Sequence, residues 1–255
     1  GGRADRGDPI GNVTWMEIER VKTYVDGLDD QMGGGIPKGH VVLISGLPGT
    51  MKSSLAYSIL HQNAMAGGPP GIYTSLEQTK PSLERQMEGM GFVSADRKTS
   101  VGIVDVAAVR KDLGKGKATV WVDFLRRTTE TRQKVAPFDL LTIDSLEALE
   151  VLGKFQDFRS ELFQFFEWLR ELGTTTFVLT EAPPETTLFP TESSHRLDAS
   201  YLADGVIHLK MHQVNDVAIQ RRIRVVKMRG TAHETGYFAL VFEDGRFGVT
   251  RALSV

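Results

Sequence analysis

The chain contains no cysteine, which excludes disulfides, thiolate metal sites and a thiol nucleophile. It has no apolar run approaching the roughly 18 residues needed to span a bilayer, and no secretory signal opens it, so a cytoplasmic protein with no membrane association is expected. It also lacks an excess of either charge: 30 Lys and Arg oppose 32 Asp and Glu, a net charge of −2 over 255 residues. That balance argues against a general polyanion binder, whose non-specific affinity comes mainly from surplus basic charge, and leaves room only for a local basic patch. No internal repeat is visible, and no linker is long enough to divide a core. What is present, 41% hydrophobic and 24% charged residues, is ordinary for a globular protein with ample length to bury a core.

Residues 1–12 are rich in Gly, Asp and Arg without an apolar period and read as a disordered arm or a tag remnant; residues 13–255 read as one domain. After a short segment at Val21–Val25 and a Gly-rich turn at Gly33–His40, strand-like and helix-like runs alternate. Strands are expected at Val41–Ser45, Gly71–Leu76, Val101–Val106, Leu140–Ile143 and Thr175–Thr180. Helices are expected at Ala56–Ala66, Leu83–Met90, about Val120–Gln133 and Phe158–Leu172. Continuously apolar strands between amphipathic helices indicate an α/β fold whose mainly parallel sheet is covered on both faces. The last quarter differs: Val206–Met211, Ile223–Met228, Tyr237–Phe242 and Phe247–Thr250 are closely spaced, with turn residues such as Glu243-Asp244-Gly245 between them. These read as C-terminal antiparallel strands extending one edge of the sheet.

The first apolar strand runs into Gly46-Leu47-Pro48-Gly49-Thr50-Met51-Lys52-Ser53, followed by Ser54 and a helix. This is the phosphate-binding pattern G-x-x-x-x-G-K-[ST] at every defined position but one. Loop and helix N-terminal N–H groups cradle phosphate oxygens, Lys52 sets a cation against the terminal phosphates, and the Ser53 hydroxyl can ligate Mg²⁺. Met51 stands where the pattern has Gly, which bears on binding or turnover because Gly there permits close backbone approach and unusual dihedrals. ATP and Mg²⁺ are the expected ligands. A second carboxylate should accompany the metal, and Asp144, ending the apolar strand FDLLTIDS, is placed for it; capping the next helix is its alternative role. Glu77 ends the second strand, where it could polarise an attacking water across a shared crevice or simply complement a helix dipole. Glu181, ending another strand, is a candidate for sensing the phosphate.

In order and spacing, the entry GLDDQMGGGIPKGHVVLISG, the phosphate loop, TSLEQ, FDLLTIDS, ADGVIHLK and VVKMRGTAHETG resemble the KaiC-like branch of the RecA-type ATPase superfamily, over roughly Asp26–Val249. The resemblance implies a RecA-like core, a ring-shaped homo-oligomer, typically a hexamer, and ATP held between subunits. It puts Glu77 in the place of the catalytic glutamate; the family usually has a second glutamate next to it, and here that residue is Gln78. It also implies that Lys227 and Arg229 reach the neighbouring subunit's nucleotide phosphates, stabilising phosphoryl-transfer charge in trans; a solvated basic edge strand is the plainer reading. Some members are autokinases that use adjacent Ser and Thr acceptors. Here Ser200 is followed by Tyr201, and an ordinary strand-entry serine is the favoured reading.

Three functional classes remain: a Mg-dependent ATPase ring, a nucleotide-gated scaffold or signalling ring that hydrolyses little and docks a protein partner of a regulatory pathway, and a DNA-binding recombination factor. The last is not favoured. The segments that would line a ring channel, near Val151–Asp157 and Ala182–Leu197, are poorly suited to neutralising phosphates: the second sets Glu185 and Glu192 against Arg196. The basic stretch Gln220–Arg229 carries no interleaved aromatics, and the aromatics Phe163, Phe165, Phe166 and Trp168 read as packing residues of the Phe158–Leu172 helix. His208 and His212 have a metal-like spacing, but on a strand four residues span roughly 13 Å, too far to share a zinc ion.

Overall fold

The computed structural model describes residues 18–252 apart from 69, 94–100, 113–118, 154, 156 and 182–196. A short ribbon of β1 (Arg20–Val21) and β2 (Ile36–Pro37) comes first. The remaining strands are β3 (Val41–Gly46), β4 (Ile72–Ser75), β5 (Gly102–Asp105), β6 (Leu140–Asp144), β7 (Thr175–Thr180), β8 (Gly205–Gln213), β9 (Ile219–Met228), β10 (Phe238–Glu243) and β11 (Arg246–Arg251). They form one nine-stranded sheet in the order β11-β10-β9-β8-β3-β7-β6-β4-β5. From β5 to β8 the pairings are parallel; β8–β9, β9–β10 and β10–β11 are antiparallel. The mainly parallel sheet with a C-terminal antiparallel extension is the architecture expected from the sequence. In detail, β8 runs parallel to β3, and the antiparallel part starts only at β9.

The helices are α1 (Lys52–Met65), α2 (Lys80–Gly89), α3 (Val106–Asp112), α4 (Thr119–Val135), α5 (Leu146–Gly153), α6 (Phe158–Glu171) and α7 (Leu197–Leu202). Alternation along β3 shows why its run is apolar throughout. Val42 and Ile44 enter the cluster beneath α1 and α2 with Tyr57, Tyr73 and Phe92, while Val41 and Leu43 enter the opposite cluster with Leu149, Phe165 and Leu169. Both faces of the strand are dry, as parallel strands require. Helix α6 starts at Asp157, whose carboxylate accepts from the Ser160 N–H at 3.3 Å, and buries Leu162, Phe165, Phe166, Trp168 and Leu169. Of its other aromatics, Phe158 is partly buried and Phe163 is exposed, at 48%.

Helices α3, α5 and α7 are not anticipated by the sequence reading. Leu146, Leu149 and Leu152 of α5 recur every three residues and are buried, a stripe too short to stand out in the sequence. As a result Val151, read as part of a channel loop, lies on α5; the other such segment, 182–196, is outside the described residues, as are residues 1–17.

The base of the sheet is tied together by Asp204, just before β8. Its Oδ2 accepts from the Val41 N–H at 3.1 Å and lies 3.4 Å from Arg170 Nε; its Oδ1 accepts from Arg229 Nη1 at 2.7 Å. Burial alone would raise the Asp204 pKa, but the Val41 N–H and the two guanidinium groups outweigh it and hold the carboxyl below its ordinary value. Because the folded-state value lies below the unfolded one, this stabilisation is complete above the ordinary aspartate range. It is lost as pH falls through that range to the lowered value. Asp204→Asn is therefore expected to lower the unfolding free energy at neutral pH by about 2 kcal/mol and to flatten the loss of stability below about pH 5. Urea titrations of both proteins across that range check this, and equal acid sensitivity would contradict it.

Candidate functional site

The loop between β3 and α1 is shaped by two close approaches. At Gly46 an added Cβ would meet the Leu209 carbonyl oxygen at 2.5 Å and Thr50 Oγ1 at 2.8 Å, so only Gly fits. Thr50 is buried, and its hydroxyl donates to the Leu47 carbonyl at 2.7 Å, closing the turn. Leu47 itself is exposed. From across the sheet, Arg221 Nε of β9 donates to the Gly49 carbonyl at 3.3 Å. No side chain caps the N-terminus of α1, so its first N–H groups are left for a ligand, and Lys52, Ser53 and Ser54 line the cavity above the loop. Lys52 Nζ donates to the Gly46 carbonyl and, at 3.2 Å, to that of Leu47. Burial lowers its pKa, against the upward pull of Glu181, Asp144, Glu147 and Glu77.

The cavity has a volume of about 350 Å³, and Pro48, Gly49, Met51, Lys52, Ser53, Ser54, Glu77 and Asp144 all line it. The parallel register explains why they meet. Ser75 of β4 pairs with Asp144 of β6, and Ser45 of β3 pairs with Thr180 of β7, so the carboxyl ends of these strands share one rim. Asp144 Oδ2 accepts from the Tyr73 hydroxyl at 2.5 Å, and Ser53 lines the cavity beside it. Burial raises the Asp144 pKa and Glu77 adds to the rise; Tyr73, Ser53 and Lys52 oppose it without cancelling it. Glu77 is oriented by the Ser145 hydroxyl, which donates to its Oε1 at 2.6 Å. Glu181 lies on the same rim.

These oxygen donors suit a hard cation. Ser53 and Asp144 adjoin each other, and a buried carboxylate disfavoured by its surroundings gains from a positive charge beside it. Among the described residues no group of three or more Asp, Glu, His or Cys could hold a metal. An ion there would have to complete its shell with phosphate and water oxygens, as Mg²⁺ does in nucleotide sites.

Lys227 and Arg229 are elsewhere. They sit at the end of β9 that pairs with the start of β8, level with the beginning of β3, whereas the loop comes after its end. Arg221 and Lys227 are six residues apart, roughly 20 Å along a strand. Lys227 Nζ donates to the carbonyls of Ser200, Tyr201 and Ala203 at 3.0, 3.3 and 2.7 Å, and Arg229 to Asp204 and the Tyr201 carbonyl. Burial, with Arg229 alongside, lowers the Lys227 pKa. Arg229 lies just beyond the strand end, yet both side chains converge on the end of α7. Ser200, read as a strand-entry serine, is instead on α7, since β8 starts only at Gly205, and it lies away from this chain's own cavity.

Tyr73, Gln86, Ser145, Glu147, Thr180 and Arg221 also belong to the site or brace it, and sequence reasoning missed them. Alternation along IYTSLE places Tyr73 on the same side as Glu77, a usable signal. For Glu147 and Arg221 no local signal exists, since their partners are 33 and 172 residues away.

A model of the KaiC ATPase family matches residues 21–250. A UPF0273 protein of Thermotoga maritima is 30% identical over 224 residues, which cover 85% of this chain and 89% of that protein. The circadian clock oscillator protein KaiC of Parasynechococcus marenigrum is 24% identical over 250 residues, covering 95% of this chain and 46% of the clock protein. The crystal structure of a KaiC-like protein of Pyrococcus horikoshii matches with a TM-score of 0.75 at 26% identity, covering 92% of this chain and all of that one.

The departure at Met51 has a clear geometry. Its φ of 73° and ψ of 27° are left-handed, the conformation for which Gly is preferred. A non-glycine residue in this conformation costs about 1–2 kcal/mol. Met51→Gly relieves that strain but removes a side chain that packs partly against the core, so the melting temperature should stay within about 4 °C of the parent. Because the Met51 side chain lines the cavity, Mg·ATP should bind about threefold to tenfold more tightly in the variant, as removing roughly 1 kcal/mol of crowding would give. Calorimetric titration measures this, and weaker binding would contradict it.

Proposed function

Because the chain belongs to the KaiC family of ATPases, we propose that it binds Mg·ATP, hydrolyses it slowly, and does so as a ring-forming homo-oligomer with nucleotide at the subunit boundaries. The observation that carries this reading is the convergence of Lys52, Ser53, Glu77 and Asp144 on one cavity over the phosphate loop. Loop amides and Lys52 bind the phosphates. Ser53 and Asp144 would hold Mg²⁺, which, when bound, offsets charge developing on the phosphoryl oxygens. Glu77, fixed by Ser145, orients the attacking water and accepts its proton. Lys227 and Arg229 lie too far from their own cavity to act there, so their role falls on a neighbour's nucleotide, where cations at the boundary stabilise the transferring group. Such a role requires their present bonds to α7 and Asp204 to be exchanged on assembly.

A cytoplasmic location fits this reading, and no described helix is long and apolar enough to cross a membrane. A second reading, a nucleotide-gated scaffold with little turnover, is favoured by two features. Met51 crowds the loop in a strained conformation, and Gln78, where the family usually has another glutamate, donates its amide to Gln86 at 3.2 Å.

Steady-state phosphate release from Mg·ATP separates the two. For the ATPase, turnover per subunit rises with protein concentration and falls by about a hundredfold or more in Glu77→Gln, the scale of general-base catalysis. Equal, near-zero rates in both proteins, with ATP binding intact, would leave the scaffold.

A further inference from the structure

Glu147 is a carboxylate that the phosphate-loop motif gives no reason to expect. It stands in the first turn of α5, three residues after Asp144, and lines the same cavity. Its Oε1 accepts from the Thr180 hydroxyl at 2.7 Å and from the Glu181 N–H at 2.9 Å, fixing the side chain against the end of β7. Its Oε2 is buried and has no hydrogen-bond partner among the described residues. The two donors and the N-terminus of α5 offset this carboxylate's charge only in part, and the remainder of its field extends into the cavity it lines. Lys52 feels that field together with those of Glu181, Asp144 and Glu77. One lysine facing these carboxylates leaves the rim of β6 and β7 with surplus negative charge.

A nucleoside triphosphate differs from a diphosphate by one further negative charge at its far end. On the nucleotide reading above, on which this inference rests, the phosphates run along the loop toward Lys52, and the terminal one faces the rim that carries Glu147. We propose that Glu147 is a specificity-determining residue that weakens triphosphate binding relative to diphosphate by repelling the terminal phosphate. The bonds to Thr180 and Glu181 are what make it effective. They keep the charge from swinging away, and they occupy two donors that would otherwise turn to the phosphate.

The test is equilibrium binding of Mg·ADP and of a non-hydrolysable Mg·ATP analogue, by calorimetry, to the native protein, Glu147→Gln and Glu147→Asp. Gln keeps the shape and an acceptor oxygen but removes the charge; Asp keeps the charge. The expected result is that Glu147→Gln shifts the ratio of the two affinities toward triphosphate by about tenfold, the size of effect one unit charge exerts on another across a partly buried site. Glu147→Asp, which keeps the charge but is one methylene short for the bonds to Thr180 and Glu181, should shift the ratio clearly less than Glu147→Gln does. An unchanged ratio in Glu147→Gln, or equal shifts in both variants, would overturn the proposal while leaving nucleotide binding intact. Failure of the native protein to bind either nucleotide would instead defeat the underlying reading, and the proposal with it.

Discussion

The site depends on one constraint: parallel strands of a single sheet must finish at the same edge. With β3 hydrogen-bonded between β7 and β8, and β6 between β7 and β4, the residues at and just beyond each strand end are delivered to a common rim. The phosphate loop comes from β3, Glu77 from just beyond β4, Asp144 from β6 and Glu181 from just beyond β7. None of these residues needs special folding to find the others. The hydrophobic burial of Val41 to Ile44 on both faces of β3 sets the alignment, and the chemistry is its consequence.

The antiparallel extension works differently. It turns the chain back toward the base of the sheet, so that β9 passes Arg221 beside the loop and carries Lys227 and Arg229 to the opposite end. There the two cations meet a ready electrostatic environment, the carbonyl end of α7 and the carboxylate of Asp204. A helix C-terminus attracts positive charge, and Asp204 binds Arg229 while accepting from the first N–H of β3. The same few groups thus close the sheet and hold the residues that the ring hypothesis assigns to a neighbour.

Much of this was legible in the sequence, for identifiable reasons. Strands buried on both faces leave continuous apolar runs, which is why β3, β6 and β7 could be placed closely. A phosphate loop is a local motif, readable despite Met51, whose backbone takes the left-handed conformation that suits Gly. Asp144 and Glu77 were legible because strand-end carboxylates in a parallel sheet have few places to go. Glu147 was not, since an acidic residue in a first helical turn is explained by the helix dipole alone, and its attachment to Thr180 exists only after β6 and β7 align. The short helix α5 was hidden by its length. Arg221 was grouped with a basic stretch whose members turn out to face different ends of the sheet.

The central position of β3 also carries a dynamic consequence. Its amides have partners on both sides and apolar cover on both faces, so isotope exchange at Val42 to Ile44 requires opening of the whole domain. The amides of β5, at one edge of the sheet, should exchange through smaller local openings. Exchange at the strand leading into the phosphate loop is thus a gauge of global stability, and it would slow in proportion to the free energy of any ligand that binds only the folded state.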